Sequence, residues 1–192
     1  MKQARVSVIK DNIEKLAPLP EVRNDCDVGQ WVDAEMMRKG HTIDSKGRVD
    51  MPEYNIDNKT RKKGSNANHT VGSMTISDII ATPVWEETGF YPKVQNQNQV
   101  TWDPVFREVA DVKIVDMALP EIQSKLKDAY EDLRRQLVAG VRTKTITSSN
   151  RWAVFDGFNH PNSYRYRITN TAMKQILIIS SMRDSLKLFD FE

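Results

Sequence analysis

Between Pro120 and Gly140 the apolar residues Ile122, Leu126, Ala129, Leu133 and Leu137 recur at three- and four-residue intervals, the period of one helix face. Pro120 stands at a first-turn position, Glu121 follows it, Arg134 and Arg135 come late, and Gly140 lies just beyond, so start and stop signals agree with the period. A helix this one-sided has to bury its stripe against another layer. Candidate strands lie on both sides of it: a β-rich run at Val109–Val115 before, and short extended pieces at 152–155, 164–168 and 175–180 after. Strands, then a helix, then strands predict an α/β (α+β) protein with a mixed central sheet flanked by helices.

The 192 residues suit one domain with a core large enough to fold without disulfides, and a single domain over 1–192 is expected. A second helix is predicted over Asp27–Lys39: Asp27 and Gln30 make a capping-box pattern, Val28, Trp31, Val32 and Met36 share a face, and Gly40 can stop it. Arg48 to Arg61 reads as two short extended segments around a Met51-Pro52-Glu53 turn. From Gly64 to Thr101 the abundance of Asn, Gln, Ser, Thr and Gly predicts long loops and short strands, with the amide-rich stretch at 94–100 an exposed loop.

Several classes fall away. The longest apolar run, Ile176–Ile179, is far short of the roughly 20 residues a membrane span needs, and the N-terminal residues lack a signal-peptide apolar core, so a cytoplasmic location without membrane association is expected. A single cysteine, Cys26, can form neither an internal disulfide nor a thiolate zinc site. His41, His69 and His160 show no metal-ligand spacing, and no phosphate-binding Gly-x-x-x-x-Gly-Lys loop is present.

The net charge of +2 conceals two stretches without acids. Asn58–Ser77 carries Lys59, Arg61, Lys62 and Lys63, and Leu133–Phe155 carries Arg134, Arg135, Arg142, Lys144 and Arg151. Such runs serve either as solvated faces or as contacts to a polyanion.

The first of them begins inside the sharpest pattern in the chain, Asp50-Met-Pro-Glu-Tyr-Asn-Ile-Asp57-Asn-Lys59-Thr60. In an extended segment Asp57 and Lys59 point to one side while Ile56 and Asn58 face the other. If the turn at Pro52 folds the chain back, Asp50 approaches Asp57, giving paired hard-oxygen ligands suited to Mg²⁺ with positions left for water and a phosphate oxygen. Lys59 would then orient that water or stabilise charge developing on the phosphate. This is the chemistry of phosphodiester hydrolysis.

Taken with Val28-Gly29-Gln30 and a helical carboxylate upstream, the run resembles the PD-(D/E)xK nuclease superfamily, most closely the MutH-type nicking endonuclease and related restriction enzymes. The likeness spans residues 28–60, about a sixth of the chain. It implies a restriction-endonuclease-like fold, a catalytic centre over about 27–63 and DNA-recognition loops over about 64–104. It also implies Asp50, Asp57 and a helical acid as magnesium ligands, and Lys59 as the catalytic lysine. The helical acid is Asp33 by the motif, whereas Glu35 lies nearer the apolar face. Two departures stand out: Asp57 replaces the usual Glu, and Asn58 an apolar residue.

Arg61, Lys62 and Lys63 follow Lys59 where a DNA strand would pass, and Asn66, Asn68, His69 and Thr70 carry groups suited to base edges. The resulting expectation is a Mg²⁺-dependent, sequence-specific endonuclease on double-stranded DNA, a homodimer if it cuts palindromes and a monomer if it nicks. Two rivals remain open: a noncatalytic nucleic-acid-binding protein, and a protein-interaction module using exposed tryptophan loops at Trp85 and Trp102.

Overall fold

Apolar stripes on two helices, each laid against its own strands, account for much of the architecture. The structure, a computed structural model, describes residues 9–16, 18–21, 24–157 and 161–189, with side chains described as far as residue 184. The fold is α+β, with two sheets and flanking helices. The chain forms two compact units, one built from residues up to Ser65 together with Gln95–Asp116, the other from Asn66–Val94 and the chain from Met117 onward. The sequence reading, which expects one domain, does not draw this division.

In the first unit the helix Asp25–Arg38 buries Val28, Val32 and Met36. It starts two residues before the predicted boundary because Asn24, not Asp27, is the cap: its side chain accepts hydrogen bonds from the Cys26 and Asp27 amides. The helix covers a three-stranded sheet of β1 (Ile56–Lys62), β3 (Asn96–Asp103) and β4 (Glu108–Asp116), in the order β1-β3-β4. β1 and β3 run parallel with Asp57 beside Gln97, Asn58 beside Asn98 and Lys59 beside Gln99; β3 and β4 are antiparallel. Ile56, Val100, Trp102 and Val112 join the helix stripe, Met51 and the helical residues Ile9 and Ile13 in one core cluster. The predicted turn at Pro52 is present but tighter than a full hairpin: a single antiparallel bridge joins Met51 to Ile56, and Asn55 takes a left-handed conformation at φ 53°.

The second unit carries the antiparallel sheet β2-β7-β6-β5, with β2 at His69–Thr75, β5 at Thr145–Thr147, β6 at Ala153–Gly157 and β7 at Ser163–Ile168. The helix Pro120–Val138 buries the whole predicted stripe, with Pro120 in the first turn and Gly140 at φ +92° just past its end. The Tyr166 hydroxyl of β7 donates to the Leu126 carbonyl of that helix at 3.2 Å. Trp85, Phe90, Tyr130, Phe155 and Tyr166 fill the core, Phe90 and Tyr166 stacked with centroids 5.0 Å apart.

Four expectations are corrected. One mixed central sheet is expected; β1-β3-β4 and β2-β7-β6-β5 are separate, because β2 pairs with β7 and not with β1. The stretch predicted as an exposed amide-rich loop is the start of β3, with Gln97 and Asn98 fully buried. The piece at 175–180 is helical, part of Asn170–Phe189, where Ala172, Ile176 and Ser180 form a buried four-residue repeat and the Thr169 side chain accepts from the Ala172 amide. Trp85 and Trp102 are 1% and 4% exposed, which removes the surface the interaction-module reading relied on. No helix among the described residues is long and apolar enough to cross a membrane.

Leu126 is fully enclosed beneath the Pro120–Val138 helix. Leu126→Ala is therefore expected to lower unfolding free energy by about 2–5 kcal/mol in urea denaturation, and a loss under about 1 kcal/mol would contradict this packing.

Candidate active site

Each acid of the predicted constellation is the sequence neighbour of a core anchor. Asp33 follows Val32, Asp50 precedes Met51 and Asp57 follows Ile56, and all three anchors are completely buried. Burying the anchors draws three acids from a helix, a turn and a strand toward one end of β1.

β1 is an edge strand, and its alternation separates two chemistries. Ile56 and Asn58 face the helix, and Asn58 Nδ2 donates to Asp33 Oδ1 at 2.8 Å. Asp57 and Lys59 face the other way, with Lys59 Nζ 2.5 Å from Asp57 Oδ2. Besides that ammonium the buried Oδ2 meets no hydrogen-bond donor. Asp50 closes the arrangement at the free edge, where its Oδ2 accepts from the Asn58 backbone amide at 2.7 Å. The Asp50 carboxyl lies near enough to both Asp33 and Asp57 to raise the pKa of each.

Asp57, 1% exposed, has its pKa pushed up to about 7: burial is the largest cause, Lys59 opposes it, and Asp50 adds to it. Asp33 is raised to about 6, again chiefly by burial, with the Asn58 hydrogen bond opposing. Two of the three acids hold their protons abnormally, chiefly because burial disfavours the charged form, and the single Lys59 ammonium offsets this only in part. Among the described residues, no set of three or more acid, histidine or cysteine side chains is arranged to hold a metal ion as it stands. The Asp50 carboxyl acts on Asp57 from close by, while Asp33 is turned to Asn58 on the opposite face of β1. A buried Asp57 carboxyl close to that of Asp50, its Oδ2 met by one ammonium alone, is the feature that fits a divalent cation.

The choice of helical acid favours Asp33. Glu35 pairs with Arg38 one turn on, at 2.9 Å, and does not join the cluster. Asn58, unusual where the family pattern has an apolar residue, is the link between Asp33 and Asp50.

The other predicted contacts are dispersed. Arg61 is half-buried near Asp25, and burial lowers its pKa. Lys62 and Lys63 are exposed at the end of β1, where Asn24, Asp25, Gly64, Ser65 and Trp102 complete an open hollow of about 480 Å³. Lys63 is paired with Asp103 at 2.9 Å. Asn68 and His69 belong to the second unit and are occupied there. Asn68 accepts from the Asn170 amide and, through its carbonyl, from Arg167, and His69 is buried at the start of β2 opposite Ile168. Only Asn66 of that trio is exposed. About half of the predicted recognition-loop stretch at 64–104 is regular structure instead: β2, the helix Ile76–Ala81 and β3. The second basic stretch has internal tasks, with Arg134 donating to the Ile79 and Ile80 carbonyls, Arg135 paired with Asp132, and Arg142 donating to the Leu137 carbonyl. His41 contacts the Asn12 side chain, and His160 lies outside the described residues.

Sequence reasoning missed the β3 amides that line the centre. Gln97 and Gln99 run alongside Asp57 and Lys59, with Gln99 Nε2 donating to Gln97 Oε1 at 2.7 Å, and Asn98 lies beside Asn58. The available signal was alternation: Asn98, Val100 and Trp102 share one face, Gln97 and Gln99 the other. Compared with known proteins, the chain matches no protein-family model and no curated protein.

In EDTA the acids make stability depend on pH. The unfolded chain releases these protons near pH 4, whereas the folded chain keeps them to about 6 for Asp33 and about 7 for Asp57. Over that window the folded state binds more protons, so unfolding free energy falls as pH rises and the penalty is complete above about 7. Asp57→Asn is expected to raise the urea midpoint more at pH 8 than at pH 5, by an effect on the order of a few kcal/mol. Equal shifts at the two pH values would show that Asp57 is not held protonated.

Proposed function

We propose that the chain is a Mg²⁺-dependent endonuclease of the PD-(D/E)xK type that hydrolyses phosphodiester bonds in double-stranded DNA. One observation carries this reading. Asp33, Asp50, Asp57 and Lys59, from a helix, a turn and a strand, come together with more acid than base, and the buried Asp57 Oδ2 is met by the Lys59 ammonium alone. A structural salt-bridge cluster gains nothing from a surplus buried carboxylate, whereas a cation site needs one.

Asp50 and Asp57 are the residues that would hold the ion. Bound there, magnesium would supply Lewis acidity toward the phosphate and lower the pKa of a water. Lys59, with its side chain 21% exposed, can leave Asp57 once a cation compensates that carboxylate, and turn its ammonium to charge developing on a phosphate oxygen. Asp33 holds a proton-accepting position at the rim, and Asn58 keeps its carboxylate directed. Beyond Lys59 along β1, Lys62 and the open hollow beside it offer a contact for the DNA backbone, with Lys63 partly neutralised by Asp103. The noncatalytic DNA-binding alternative would use the same lysines and leave the acids without a task.

Plasmid relaxation or linearisation is expected with Mg²⁺, to vanish in EDTA, and to drop by at least about a hundredfold in Lys59→Ala. DNA binding that persists in both cases without any wild-type cleavage would establish the noncatalytic alternative. Lys62→Ala is expected to weaken DNA binding and reduce the slope of log affinity against log salt by about 1, as loss of one phosphate contact does. An unchanged slope would remove Lys62 from the interface.

A further inference from the structure

Of the two amides behind the acids, Asn58 directs Asp33, while Asn98 has no role in the reading so far. Asn58 and Asn98 are register partners on the helix-facing side of β1 and β3. Asn98, fully buried, donates from Nδ2 to Asn58 Oδ1 at 3.0 Å, which leaves Asn58 Nδ2 to donate to Asp33 Oδ1 at 2.8 Å. The backbone amide of the same Asn58 donates to Asp50 at 2.7 Å, so one residue fixes two carboxylates.

An asparagine side chain has a donor end and an acceptor end that interchange when its terminal torsion turns over. With Asn58 reversed, its oxygen would oppose Asp33 Oδ1, acceptor against acceptor, and its amide would oppose the amide of Asn98, donor against donor. The arrangement observed is the one in which donor meets acceptor at both contacts. Asn98 keeps it so at a cost: its own Oδ1 is buried without a hydrogen-bond partner. An apolar side chain would fill that place against Val100 and the helix without such a cost, so packing alone gives no reason for an amide there.

We infer that Asn98 and Asn58 form a two-amide relay that positions Asp33 beside Asp50, with Asn98 setting the orientation of Asn58 and Asn58 holding the acid. Both are positioning residues that touch neither metal nor DNA. The inference rests on the nuclease reading for its catalytic consequence, while its geometry can be tested separately.

The test uses the full chain with Asn98→Leu, Asn58→Leu, the double variant and Asn98→Thr, which keeps a hydroxyl donor. Asn98→Leu is expected to unfold at or above the wild-type temperature yet cleave plasmid with kcat about tenfold lower and KM for DNA unchanged. The double variant should be no slower than the slower single variant, because the two amides act as one unit. Asn98→Thr should recover most of the rate. Independently of cleavage, the Asn58 side-chain amide resonances should move in both Asn98→Leu and Asp33→Ala. Wild-type kcat in Asn98→Leu, multiplicative losses in the double variant, or Asn58 resonances indifferent to Asp33 would each overturn the relay. A wild-type chain that cleaves nothing while the resonances respond as expected would end the nuclease reading and leave the relay's geometry intact.

Discussion

Taking an ionised carboxylate out of water costs several kcal/mol unless a cation or convergent donors meet it. Around β1 that cost falls on Asp57, almost fully enclosed, and on Asp33 behind it, with Asp50 between them and Lys59 as the counter-charge. What holds the acids in place is apolar: Val32, Met51 and Ile56 have no exposed surface, and each carries an acid one residue away along the chain. The hydrophobic core of this unit therefore fixes a charge arrangement that electrostatics alone would disperse. The raised pKa values record the resulting tension, and a divalent cation would relieve it.

The same constraint explains the neighbouring strand. β3 is the middle of its sheet, flanked on both sides by hydrogen-bonded partners, and so cannot avoid burial. An apolar β3 would leave Asp57 and Lys59 facing hydrocarbon on one side and Asn58 on the other. Gln97 and Gln99 instead run beside the charged pair, and Asn98 beside Asn58. The strand satisfies its amides partly against one another, as in the Gln99–Gln97 contact. Asn and Gln are poor strand formers in isolation, yet here pairing and the polarity of β1 select them.

That is why the sequence was legible in some places and misleading in others. The helix Pro120–Val138 could be read residue by residue because period, first-turn proline and terminal glycine agree. Asp50, Asp57 and Lys59 could be read because their convergence needs only a turn and the alternation of one strand. β3 could not, since amide-rich composition signals a loop until its neighbours are known. The Ile176–Ile179 run misled in the opposite direction: its β-branched residues suggest a strand, while the four-residue burial repeat and the Thr169 cap make it helix. The basic stretch after Leu133 read equally as a solvated face or a polyanion contact, and the tasks of Arg134, Arg135 and Arg142 on carbonyls and a carboxylate of their own unit could not be seen without the neighbouring elements.

The competition between Asp33 and Glu35 carries the most general point about reading a site from helical spacing. The buried stripe Val28, Val32 and Met36 defines a direction; at 3.6 residues per turn Glu35 lies about 60° from its middle and Asp33 about 100° on the other side. Proximity to the apolar face therefore favours Glu35. That criterion assumes the site lies beneath the helix. The acid cluster lies instead past the edge of the sheet, where Asp50 meets the outward backbone amide of Asn58, so for reaching it the flank facing that edge matters more than the centre of the stripe. Asp33 stands on that flank and reaches Asn58, while Glu35, on the far one, meets only Arg38. The residue that reaches the cluster is thus decided by which flank of the helix looks toward the edge strand, a direction that distance from the apolar stripe does not contain.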